Sequence, residues 1–228
     1  MYKLFSIAID GPSGAGKSTI ARKIAQDTGA LYLDTGAMYR AVGLWLLSRG
    51  IDVRDADAIS EVIDRIEVDV RHVDSEQKIY LEGADVTDAI RMPEVSSAAS
   101  ISSAVPAVRR RLVAMQQGIA RGRSVVMDGR DIGTKVLPDA TLKIFLTASP
   151  ETRANRRLLE LRQKGLPDTY AQVLEAMRIR DHDDSTRAAS PLCKADDAIE
   201  VDTSSWTIHQ AVDHVTNLLD EKLRGDKA

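Results

Sequence analysis

Gly11-Pro12-Ser13-Gly14-Ala15-Gly16-Lys17-Ser18 is the stretch that decides the fold. It matches G-x-x-x-x-G-K-[ST], with an apolar run at residues 4–9 before it and a helical pattern after it. The glycines let the backbone wrap closely, so that successive N–H groups point at phosphate oxygens. The helix N-terminus adds positive potential. Lys17 can reach the β- and γ-phosphates, and the Ser18 hydroxyl can ligate Mg2+. The loop from Gly11 to Thr19 therefore predicts binding of a nucleoside triphosphate, with ATP as the expected donor.

Working outward, residues 4–9 read as a short buried strand. A helix follows to about Asp27, with Ile20, Ala21, Ile24 and Ala25 on one face. Residues 31–33 form a short apolar segment, and helical patterns cover 37–47 and 55–63. The composition then shifts. Residues 66–71 and 78–82 alternate apolar and polar side chains about the turn-rich Asp74-Ser75-Glu76, which predicts an antiparallel hairpin. This piece reads as an insertion over 64–91.

Residues 105–120 read as a helix carrying Arg109, Arg110 and Arg111, and 124–127 as a strand ending at Asp128. A strand at 143–146 leads to a helix capped by Ser149 with Pro150 in its first turn. A long polar helix at 170–186, a strand at 198–201 and a last helix complete the pattern. The last helix opens on a capping box, Thr207 to Gln210, with an apolar stripe of Ile208, Ala211, Val212, Val215 and Leu219. Repeated β-loop-α units predict a mostly parallel sheet flanked by helices.

The chain has 228 residues, 43% hydrophobic and 29% charged, with a net charge of −3. That length suffices for one α/β domain with an insertion. The charge argues against general affinity for nucleic acid or anionic membranes. A single cysteine, Cys193, leaves no internal disulfide and points to a reducing cytoplasm. The N-terminal apolar run stops at Asp10 with no small-residue cleavage site, so no signal peptide is expected, and no later run is long enough to span a bilayer. With no obvious exposed apolar stripe, a monomer is expected.

A guanine-reading Asn-Lys-x-Asp is absent, since the only asparagines are Asn155 and Asn217. A small-molecule kinase should instead bring several arginines to two polyphosphates. Asp34-Thr35-Gly36-Ala37-Met38-Tyr39-Arg40 sets a hydroxyl and an arginine at a helix start, and Asp128-Gly129-Arg130-Asp131 sets an arginine past the carboxyl end of a strand. Arg180, Asp184 and Arg187 share one helical face by spacing, while Arg153, Arg156 and Arg157 lie on the preceding helix. Asp128 on a neighbouring strand is the carboxylate that a phosphate loop needs near Mg2+. Trp45 and Trp206 read as packing residues, and His182 receives no role.

Taken together, these motifs closely resemble the bacterial cytidylate kinases. The resemblance is carried by residues 10–18 and 34–40, by Asp128-Gly129-Arg130-Asp131-Ile132-Gly133-Thr134, by the run 180–187, and by Ser190-Pro191-Leu192. It spans essentially the whole chain. It implies an α/β P-loop kinase core with a mostly parallel five-stranded sheet, a small antiparallel β insertion at 64–91 and a lid at about 165–187, all within one domain over 1–228. It implies transfer of the γ-phosphoryl of ATP to CMP and dCMP, giving CDP or dCDP and ADP with Mg2+.

By the same resemblance Lys17, Arg130, Arg180 and Arg187 serve catalysis, and Ser18 and Asp128 the metal. ATP is held by Gly11, Pro12, Ser13, Gly14, Ala15, Gly16, Lys17, Ser18, Thr19 and Arg157. The monophosphate pocket takes Thr35, Tyr39, Arg40, Arg130 and Asp131, with Ser100 and Arg109 as a base-reading pair. Arg180 and Asp184 approach sugar and phosphate, and Arg187 the base. Thr35 stands where serine is also common in relatives, and the hydroxyl is kept. Two other readings stand beside this one: a P-loop kinase acting on UMP, AMP or a non-nucleotide, and a slowly hydrolysing nucleotide switch.

Overall fold

The computed structural model describes residues 4–73, 76–163, 165 and 168–225. Asp74 and Ser75 of the expected turn, and Leu166 and Pro167 of the expected lid, lie outside the described residues. The strands are β1 (Ser6–Asp10), β2 (Leu31–Asp34), β3 (Val68–Val73), β4 (Glu76–Leu81), β5 (Ala84–Asp85), β6 (Val125–Gly129), β7 (Leu142–Thr147) and β8 (Ile199–Asp202). The helices are α1 (Lys17–Thr28), α2 (Thr35–Ser48), α3 (Ala56–Val62), α4 (Pro93–Ser102), α5 (Pro106–Ala120), α6 (Pro150–Gln163), α7 (Tyr170–Thr186) and α8 (Ile208–Gly225). The chain forms two compact units, one from residues 1–31 and 123–228, the other from 32–122.

The five-stranded sheet is ordered β2-β6-β1-β7-β8, and four of its strands, β6, β1, β7 and β8, belong to the first unit. The β1–β6, β1–β7 and β7–β8 pairings are parallel, as the β-loop-α pattern predicts. Its strands are apolar runs rather than alternating ones because both faces are covered: Ile7, Ala8, Ile9, Val125, Val126, Met127, Ile144 and Leu146 are all buried. Leu31 marks where the chain leaves this unit, its amide donating to the Ser124 carbonyl at 2.9 Å. In register, Ile9 lies opposite Asp128 and Asp10 opposite Gly129, so the first loop and the second carboxylate emerge side by side. Helices α6 and α7 pack through Ala154, Leu158, Leu161, Val173 and Met177. Among the described residues no helix is long and apolar enough to cross a membrane.

The second unit carries the antiparallel sheet β3-β4-β5. The predicted hairpin is present, and β5 extends it. The extra strand is reached through Glu82 (φ 51°) and Gly83 (φ 82°), a two-residue turn with both residues left-handed. A glutamate in that conformation is unusual, and its side chain explains it. Glu82 accepts from Trp45 Nε1 at 2.8 Å and from Arg49 Nη2 at 2.8 and 2.9 Å. Two side chains tie the hairpin to the strand before α2. His72 Nε2 donates to the Tyr32 carbonyl at 2.7 Å, and Gln77 accepts from the Asp34 amide at 2.7 Å while donating to the Asp34 carbonyl at 3.2 Å. Helix α4, which has no strong apolar period to betray it, fits against α2 at Gly43. A Cβ there would stand 2.9 Å from the Ala99 amide nitrogen.

Candidate active site

The candidate residues fall on both units, and the phosphate loop belongs to the first. Gly11 (φ 147°) could carry no side chain, because a Cβ would run into the Leu146 carbonyl oxygen. Gly14 (φ 76°) and Gly16 (φ 94°) are left-handed too, and α1 starts directly after Gly16. Pro12, Ser13 and Ala15 complete the loop, and Thr19 is exposed on the first turn of α1. Lys17 is buried, with Nζ donating to the Pro12 carbonyl at 2.8 Å. Burial, and then the positive charges of Arg130 and Arg180, push its ammonium down to about 7 against the pull of Asp128 and Asp10. The Ser18 hydroxyl donates to Asp128 Oδ2 at 2.8 Å. A hydroxyl and a carboxylate this close are hard oxygen donors of the kind Mg2+ takes beside phosphate and water, so they fit that ion.

Beyond β6 the chain enters a π-helical turn, Ile132–Val136, whose first amides are held by Asp10. Asp10 Oδ1 accepts from Ile132 at 2.8 Å and Oδ2 from Gly133 at 2.7 Å. Burial pushes the Asp10 carboxyl up to about 6, opposed by those two amides. The sequence reading gave Asp10 no role of its own. The only signal was an acidic residue closing an apolar strand just before the first glycine.

Arg130 and Asp131 sit between β6 and this turn, with Asp131 buried. Arg130 Nε pairs with Asp184 Oδ2 at 2.7 Å, and Arg187 Nη1 lies 3.5 Å from Asp184 Oδ1. Burial works to raise the Asp184 carboxyl, but Arg130, Arg180 and Arg187 together hold it below the ordinary range. Arg180 and Asp184 on α7, and Arg187 just past its end, thus form one charged cluster with Arg130; the spacing placed all three on one helical face, but Arg187 is the cap residue beyond the helix. Arg187 is anchored through Nε to the Ser190 carbonyl at 2.7 Å. Arg157 stands apart, its side chain 38% exposed and paired with Glu160 on its own helix.

On the second unit, Asp34 caps α2 by accepting from the Ala37 amide at 3.0 Å, and Arg40 folds back to pair with Asp34 at 2.8 Å. Thr35 is buried at the first position of that helix. Arg109 is buried on α5, donates to the Ser103 carbonyl at 3.0 Å, and lies with its guanidinium carbon 5.4 Å from the Tyr39 ring centroid. Ser100 is half-buried, its carbonyl accepting from the Ser103 hydroxyl at 2.8 Å. Arg110 is exposed, and Arg111 serves packing through Asp64 and the Ile66 carbonyl. Of three adjacent arginines, only Arg109 turns toward the tyrosine.

A parallel sheet in this order, a glycine loop running from β1 into α1, and a carboxylate on the adjoining β6 define a P-loop kinase. Residues 7–221 match the family model described as cytidylate kinase, and the chain belongs to that family. The cytidylate kinase of Caldicellulosiruptor bescii is 50% identical over 216 residues, 95% of this chain and 96% of that protein. That of Mycobacterium leprae is 51% identical over 217 residues, again 95% and 96%. A solved structure of an uncharacterized protein from Eubacterium ventriosum has a TM-score of 0.51 at 14% identity, covering 95% of this chain and 98% of that one. That likeness concerns the fold alone.

Proposed function

We propose that the protein is an ATP-dependent cytidylate kinase. It transfers the γ-phosphoryl group to CMP and dCMP and releases ADP with CDP or dCDP. The observation that carries this reading is the family match across residues 7–221, which contains every candidate site residue. Such a transfer needs no general base. A phosphate monoester has its second pKa near ~6, so the acceptor oxygen is already largely anionic at neutral pH. The obstacle is repulsion between two anions, which fixed guanidinium and ammonium groups offset.

Lys17 moves from the Pro12 carbonyl to the β- and γ-phosphates, with the amides of residues 11–19 around them and Arg157 toward the nucleoside. Arg130, Arg180 and Arg187 follow charge as it passes from donor to acceptor. Arginine suits this because its planar fork grips phosphate bidentately. Thr35, Tyr39 and Arg40 take the monophosphate, with Ser100 and Arg109 at the base and Asp184 near the sugar. Ser18 and Asp128 would hold Mg2+, which supplies charge neutralisation across the phosphates. The segment at about 165–187 closes over the donor and keeps water from acting as acceptor. The enzyme acts as a cytoplasmic monomer on small molecules, without nucleic acid or membrane.

Cytosine offers an amino donor where uracil offers a carbonyl acceptor. Asp131, directly or by ordering an arginine, selects the former. The decisive assay couples ADP release to a panel of CMP, dCMP, UMP and AMP. ADP must form only with an acceptor, and fastest with the cytidine nucleotides. Slow hydrolysis indifferent to acceptor would sink the reading in favour of a nucleotide switch. In the same assay Asp131→Ala should narrow the preference for CMP over UMP, and an unchanged ratio removes Asp131 from base selection. Amide exchange across 168–187 should slow with a bisubstrate analogue if this segment is a lid.

A further inference from the structure

Helix α6 bears arginines at 153, 156 and 157, and two of them turn toward the phosphate loop. Arg153 is buried. Its Nη1 donates to the Ser13 carbonyl at 3.2 Å, its Nε to the Ala148 carbonyl at 2.9 Å, and its Nη2 pairs with Asp181 at 2.7 Å. Arg156 donates through Nη1 to the Ala15 carbonyl at 3.4 Å and through Nη2 to the Thr203 carbonyl at 2.8 Å. Thr203, buried just past β8, shares its one hydroxyl proton between the Ala15 carbonyl at 3.3 Å and the Thr147 carbonyl at 3.1 Å, and its Oγ1 accepts from Arg156 Nη1 at 3.3 Å.

These contacts fall on alternate peptide units. The Ser13 carbonyl and the Gly14 N–H are two ends of one planar trans amide, and so are the Ala15 carbonyl and the Gly16 N–H. In such a unit the two dipoles point in opposite directions. Holding the carbonyl toward α6 therefore aims the following N–H away from it. Gly14 and Gly16 are both left-handed glycines, with the freest backbone in the loop, so their peptides are the ones most able to turn over. A turned peptide would present a carbonyl oxygen to an anion in place of a donor.

We propose that Arg153 and Arg156, the latter with Thr203, are positioning residues. They fix the Ser13 and Ala15 carbonyls on the α6 side so that the Gly14 and Gly16 amides stay aimed at the triphosphate. The inference rests on reading the loop as the triphosphate site. The arginines act through the backbone and touch no ligand themselves, which preorganises the donors before the nucleotide arrives.

The test uses the full chain and two probes, ATP and inorganic tripolyphosphate, which lacks base and sugar. Arg156→Gln and Thr203→Val should weaken both probes by the same factor, about tenfold for one lost charge-assisted or hydroxyl hydrogen bond. CMP affinity should be unaltered, and the KM for ATP should rise with it. Thr203→Ser, which keeps the hydroxyl, should bind like the wild type. Loss of ATP binding with tripolyphosphate unchanged means that Arg156 touches the nucleoside, and the proposal is wrong. Lower melting temperatures with both affinities intact, or CMP affinity falling in step, reduce these residues to ordinary packing and also refute it. The acceptor reading fails separately, when the unsubstituted protein forms no ADP with CMP.

Discussion

Asp10 shows how one buried carboxyl can join two pieces of a site. It closes β1 directly before the phosphate loop, and its two oxygens hold the amides that follow Arg130 and Asp131. Its carboxyl is raised to about 6 from an ordinary 3.8, so the folded state binds its proton more tightly than the unfolded chain does. The stabilisation this gives is complete below the unfolded value and is lost as pH rises through about 6. Urea melts of the wild type and Asp10→Asn, compared from pH 4 to 7, should show the wild type losing about 2–3 kcal/mol relative to the variant. A difference that stays flat would mean the carboxyl is ionised throughout.

At this scale the phosphate loop was legible in the sequence because fixed residue types at fixed spacing are its mechanism. Asp10, Arg153 and Arg156 were not, because their partners lie 122, 140 and 141 residues away along the chain and no local pattern encodes that.

Among the elements, the core strands and most of the helices followed from periodicity and caps. The box at Thr207 and Gln210 forms as read, with the Thr207 amide donating to Gln210 Oε1 at 2.9 Å and the Gln210 amide to Thr207 Oγ1 at 3.2 Å. The π-helical turn at Ile132–Val136, α4 and β5 escaped. Helix α4 is made of small residues packed on Gly43, so it lacks an apolar stripe, and β5 is introduced by Glu-Gly rather than Asn-Gly, a turn signal carried by side-chain contacts instead.

Helix α7 is legible by length yet polar on the outside, and what holds its far end is Asp184 between Arg130 and Arg187. Asp184→Asn leaves those arginines uncompensated and should cost about 3 kcal/mol, seen as a lower melting temperature and faster amide exchange at 180–187. Because the wild-type carboxyl is held below its ordinary value, this contribution stands above that value and fades as pH falls below it. Equal melting temperatures at pH 7 would show that the cluster contributes nothing to the fold.

Across the whole molecule, the candidate groups divide by unit: loop, metal pair and the Asp184 cluster on the first, Thr35, Tyr39, Arg40, Ser100 and Arg109 on the second. Ligands that bind only the folded state stabilise what they touch. ATP alone should therefore slow amide exchange chiefly at 11–19, and CMP alone at 35–40 and 100–109 together with 130–131. Protection by CMP confined to the phosphate loop would contradict the assignment. The sequence named these candidates through motifs and, for Ser100 and Arg109, through the family resemblance, but not the extent of the second unit, since 32–122 mixes helix and strand and only the hairpin changes composition.

The chain leaves the first unit at Leu31 and returns at Arg123, and the Leu31 amide meets the Ser124 carbonyl at 2.9 Å. Both splice points are thus pinned on adjoining strands of one sheet. A segment whose ends are already held together adds little loop-closure entropy whatever its length, since each doubling costs only about 0.6 kcal/mol. Residues 32–122 are in this sense a cassette. A lineage, or an engineer, could exchange that insert without moving the strands β1 and β6 that carry the phosphate loop and Asp128.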